Sequence, residues 1–183
     1  MAASFDLLSS AYVSSNTTSI NFSSISQAYD DLYFIWSGKQ SNWQTNGRKL
    51  TVKFNNVSSQ YYFSGGLRKD GTTLTYQNIG LKYAAELGNC VPSRGNYNYY
   101  PNNYGICELW LNEYSTSGKQ ASGMYMSGCH ANDPSATGSV YMDIGGFSTN
   151  NSFSAAITQV TFACEGYSFE AGTKVWMYGL KSS

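Results

Sequence analysis

The chain has 183 residues with 11 Lys+Arg against 11 Asp+Glu, a formal net charge of 0 that offers no basic footprint for nucleic acid or an anionic membrane. Charged residues make up only 12%, so much of the surface must be Ser, Thr, Asn, Gln, Gly and Tyr. A hydrophobic share of 42% with 16 Tyr excludes a disordered chain, and the length suits one domain, residues 1–183, burying roughly 70% of its unfolded surface.

In chain order, Ile20 and Phe22 alternate with Ser19, Asn21 and Ser23, which predicts a half-buried strand. Leu32-Tyr33-Phe34-Ile35-Trp36 is apolar on both faces, as in a central strand or one covered by a partner. Leu50, Val52 and Phe54 alternate with Thr51 and Lys53. Breaks are expected at Gly38, Gly47, Gly65-Gly66, Gly71, Gly118 and Gly128. Leu81 to Leu87 is the single helical candidate, with a strand as its alternative. Cys107, Leu109 and Leu111 alternate with Glu108, Trp110 and Asn112, and Val140, Met142 and Ile144 with Tyr141 and Asp143. At the C-terminal end, Ser154 to Phe162 and Ser168 to Leu180 flank a Glu165-Gly166 break, the pattern of a strand pair. Together these predict an all-β protein, an antiparallel β-sandwich of about 8–10 strands with jelly-roll-like topology. Its two sheets would bury the alternating apolar sets between them, about 10 Å apart.

Two segments depart from the strand rhythm. Arg94 to Gly105 holds Tyr97, Tyr99, Tyr100 and Tyr104 with Asn96, Asn98, Asn102 and Asn103. Tyrosine gives large contact area at low entropic cost and asparagine supplies hydrogen bonds, so this loop could touch a neighbouring subunit or a host glycan. The alternative is a loop folded over its own sandwich. Tyr97, Tyr99, Tyr100, Tyr104, Asn98 and Asn102 are the candidate interface residues. Ser127 to Gly138 reads as an ordinary connection between strands.

Chemistry has little support. His130 is the only histidine and has no nucleophile-elbow motif near it, so no catalytic residue is assigned. Asp30, Asp31, Glu108 and Glu113 could pair in a glycosidase-like cleft only if the fold brought them together. Cys90, Cys107, Cys129 and His130 lack structural zinc spacing, and the four cysteines read as reduced, mostly buried thiols. No cofactor or metal is expected. The first basic residue is Lys39, so a secretory leader is not expected. No apolar run approaches the roughly 20 residues of a membrane span. The glycosylation-type tripeptides at Asn16, Asn21, Asn56 and Asn150 read as chance in an Asn- and Ser-rich chain.

Ala156 to Lys181, including Ala156-Ile157-Thr158-Gln159-Val160-Thr161-Phe162 and Val175-Trp176-Met177-Tyr178-Gly179-Leu180-Lys181, resembles the closing segment of small bacteriophage virion structural proteins, of the type AAITSITFTPASGNFAAGSTFSLYGIK. Phe5 to Ser10, Thr18 to Leu32, Leu50 to Tyr62 and Leu109 to Lys119 resemble the opening and two interior strands of the same family. That resemblance implies a jelly-roll-like sandwich and a non-enzymatic role in a virion assembled in the host cytoplasm. It points to a capsid decoration or cement protein bridging major capsid subunits. The alternative is a tail-fibre, spike or knob protein binding a host receptor or glycan. The expected partners are other virion proteins, major capsid or tail, together with copies of itself, a trimer being one symmetric option. Neither the Tyr- and Asn-rich loop nor the 127–138 segment matches the family pattern, so the resemblance assigns them no role.

Overall fold

The computed structural model describes residues 4–41, 48–57, 62–70, 73–88, 91–92, 104–130, 140–150 and 155–181. Among them are twelve strands and no helix: β1 (Ser4–Tyr12), β2 (Ser19–Phe22), β3 (Asp31–Gly38), β4 (Leu50–Phe54), β5 (Tyr62–Asp70), β6 (Thr73–Lys82), β7 (Ala85–Glu86), β8 (Gly105–Asn112), β9 (Ser122–His130), β10 (Val140–Thr149), β11 (Val160–Cys164) and β12 (Lys174–Lys181). Every pairing is antiparallel.

Eight strands make the expected jelly roll. The chain alternates between sheets so that β1-β12-β3-β8 lies in one and β2-β11-β4-β7 in the other. Two hairpins, β5–β6 between β4 and β7 and β9–β10 between β8 and β11, are added to the first sheet. They widen it to the order β1-β12-β3-β8-β9-β10-β5-β6. The larger sheet therefore extends well beyond its four-stranded partner.

The core follows from strand alternation. Leu32, Phe34 and Trp36 on β3 are fully buried while Tyr33 and Ile35 on the other face are half-buried. Leu50, Val52 and Phe54, and Cys107, Leu109 and Leu111, point inward as their spacing predicts. Rings lock the sheets together: Phe34 lies 5.3 Å from Phe162, Phe22 lies 5.8 Å from Phe34, and Phe54 lies 5.8 Å from Phe147. Each such buried ring contributes about 2–3 kcal/mol by removal from water. Where β7 closes the smaller sheet, the interior turns polar. Arg68 pairs with buried Asp143 through contacts of 2.8 and 3.3 Å, Lys49 meets Glu86 at 2.6 Å, and the Glu86 amide donates to Ser64 Oγ at 3.1 Å. These partnered charges fix how β7 sits against β5.

One turn shows how side chains direct the chain. After β4, Asn55 and Asn56 both take φ of +49°, a conformation asparagine tolerates better than most residues. The Asn55 carboxamide then accepts from the Thr158 and Gln159 amides at 2.8 and 3.1 Å and donates to the Ala156 carbonyl at 3.0 Å. That grip sets the entry into β11.

Four sequence expectations need correction. Leu81 to Leu87 is no helix: its ends fall in β6 and at the exit of β7, because the alternating Thr73–Lys82 run pairs with β5. Gly65-Gly66 lies inside β5, where it faces Gly146 and Gly145 of β10. Gly128 lies inside β9, so Ser127 to His130 is strand, and only 131–138, outside the described residues, remains of the expected connection. The apolar set Val140, Met142 and Ile144 points outward, while Tyr141 and Asp143 occupy the inner face.

Candidate functional site

That inversion on β10 exposes a broad apolar surface among the described residues. Residues paired across antiparallel strands share a face, so the register assembles the outward positions into rows. The first runs Trp176, Ile35, Glu108, Met126, Ile144, Leu67, Tyr76 from β12 to β6. Beside it run Tyr178, Tyr33, Trp110, Met124, Gly146, Gly65, and on its other side Lys174, Ser37, Ile106, Gly128, Met142, Lys69, Leu74. Three charges occur among these positions.

The face changes character along its width. Near β1 and β12 it covers itself with rings: Phe5 stacks on Tyr178 at 4.8 Å, and Tyr33 lies 4.8 Å from Trp110 and 6.2 Å from Tyr178. Burial pushes the Tyr33 phenol well above its ordinary range, and its hydrogen bond to Glu108 pushes the same way. From β9 onward the cover is missing. Met124 is 64% exposed, Ile144 51% and Tyr76 72%, with Met126, Val140, Met142, Leu67 and Leu74 similarly bare. An apolar area this continuous is uncommon on a monomer and marks a surface that meets something.

Of the sequence-predicted interface residues, Tyr104 alone is described; Tyr97, Asn98, Tyr99, Tyr100 and Asn102 lie outside the described residues. Tyr104 is exposed just before β8, with the Lys39 ammonium 5.1 Å from its ring centre. The considered carboxylates do not converge. Asp31 accepts the Glu113 amide at 2.8 Å, Glu113 pairs with Lys119 at 2.5 Å, and Glu108 sits on the outer face opposite Ile35, four residues along β3 from Asp31. Among the described residues, no three of His, Cys, Asp or Glu form a metal-binding group. Cys107, Cys129 and Cys164 are buried as expected, and Cys90 lies outside the described residues.

Sequence reasoning missed Leu67, Leu74, Tyr76, Met124 and Met126. A signal exists in Met124-Tyr125-Met126, an apolar run on both faces of a strand, like the Leu32–Trp36 run of β3, which lies between β12 and β8. No protein-family model matches the chain, and neither the curated proteins nor the solved structures contain a match.

Proposed function

We propose that this chain is a non-enzymatic bacteriophage virion structural protein, a capsid decoration or cement protein that bridges major capsid subunits. The observation that carries the reading is the bare apolar outer face of the larger sheet, a surface suited to being covered within an assembly. The resemblance of the N-terminal strands and of Ala156 to Lys181 to phage virion proteins supplies the context. A near-neutral chain with 12% charged residues adds little repulsion when copies crowd on a lattice. The mechanism is mass action: a protein that binds the assembled shell better than separate subunits stabilises it by the difference.

Quantitative mass spectrometry of purified virions tests this. Copies in fixed proportion to the major capsid protein, with virions that lose heat stability when the protein is absent, are expected. A second reading, a tail-fibre or knob protein binding a host glycan, draws on exposed Tyr104 beside Lys39, a ring that could stack on a sugar. A few copies per virion would favour it. Absence from virions removes both.

A further inference from the structure

We propose that a second copy of this chain covers the outer face of the eight-stranded sheet, forming an isologous dimer; this rests on reading the chain as an assembly protein. Area gives the first reason. A two-fold axis near the middle of this face overlaps the six strands from β3 to β6, whose five spacings span about 24 Å; with three rows of side chains, about 20 Å, they offer about 480 Å² in projection. A standard stable interface takes about 800 Å² from each partner. Protruding side chains make the accessible area larger than its projection, so the overlap falls at the lower end of stable interfaces.

Relief gives the second. Met124 projects from β9 directly beside Gly146 on β10, and Gly65 on β5 continues the hollow. Neither glycine has a side chain to fill the space between the flanking strands. An unbranched methionine suits such a furrow because it adapts its rotamers to irregular gaps. A two-fold axis in the interface plane puts each copy's methionine ridge within reach of the other copy's glycine furrow. Ridge and furrow lie on one chain, which is what a self-complementary contact requires.

Charge gives the third. Glu108 on β8 and Lys69 on β5 lie three strands apart and one row out of step. An in-plane two-fold axis running along the strands between β9 and β10 carries β9 onto β10 and β8 onto β5, so each Glu108 lies over the other copy's β5, one row from Lys69 and within reach of its long side chain. Met126 and Ile144 lie near that axis. Two ion pairs would then flank an apolar centre, fixing the register of the dimer.

Sedimentation equilibrium on the purified full chain tests the proposal. The wild type is expected to be a dimer, and Ile144→Lys a monomer with unchanged circular dichroism, since the position is exposed. Glu108→Lys and Lys69→Glu should each weaken the dimer at least about tenfold, and the double exchange should restore it. A wild type that stays monomeric, a dimer that Ile144→Lys leaves intact, or a double exchange no tighter than the single variants overturns the proposal. A monomer that still enters virions leaves the assembly reading standing, whereas a dimer absent from virions keeps this proposal and removes that reading.

Discussion

Tyr62 is a buried phenol whose oxygen accepts the Phe54 amide at 3.1 Å across the interior. Burial raises its pKa from 10.0 to about 12, because the phenolate would lose its hydration; the amide donor opposes this only in part. The folded state therefore holds its proton more tightly than the unfolded chain. The stability linked to that proton is intact below about pH 10 and drains away as pH rises towards 12, by about 2–3 kcal/mol. Tyr62→Phe should lower stability at pH 7 by about 1–2 kcal/mol, since the Phe54 amide is left without an acceptor. The same variant should flatten the loss between pH 10 and pH 12. Urea titrations of both proteins at pH 7, 10 and 11.5 would show it, and parallel slopes would contradict it.

At the scale of elements, β5 and β10 meet through four glycines, Gly66 opposite Gly145 and Gly65 opposite Gly146. A Cβ on Gly66 would collide with the Ile144 carbonyl oxygen and the Gly145 Cα, backbone atoms that cannot rotate away. Gly66→Ala must therefore part the strands, at about 3 kcal/mol, which lowers Tm by about 6–12 °C. Gly118→Ala is the contrast: a Cβ there meets open space, and only the φ of +74° opposes it, worth about 1–2 kcal/mol. A smaller loss at Gly66 than at Gly118 in thermal melts would mean β5 and β10 are not so closely apposed. These glycines also show what the sequence conveys and what it hides. Strands whose inward set is wholly apolar, such as Leu50–Phe54 and Gly105–Asn112, were legible because one phase of the alternation is unambiguous. Gly65-Gly66 reads locally as a turn, and only a second glycine pair 80 positions on, Gly145-Gly146, turns it into a strand crossing. On β10 both phases can be buried: aliphatic Val140, Met142 and Ile144, or Tyr141 with an Asp143 that needs Arg68 from β5. The choice depends on a distant partner, so which face of β10 turns outward was not legible from its own residues.

The whole molecule is stitched by distant pairs. Ser4 lies opposite Lys181, and β12 inserts between β1 and β3, so the chain's two ends share one sheet. Local contacts are concentrated elsewhere, in the β5–β6 and β8–β9–β10 stretches where neighbours in sequence pair. Closing a long loop costs entropy before any contact repays it, which favours the local ribbon first and β12 last. Refolding in milliseconds to seconds is expected for so non-local a topology. Two truncations separate the stages. Phe147→Leu on β10 trims a ring that packs over Gly123 of β9 within the ribbon and should mainly slow folding. Val175→Ala on β12, fully buried, should cost about 2 kcal/mol and mainly speed unfolding. Stopped-flow chevrons of the two variants read this directly, since each limb reports one rate. If Val175→Ala moves the folding limb as far as Phe147→Leu does, the ends of the chain are already paired in the transition state, and the hairpin ribbon alone does not nucleate the sheet.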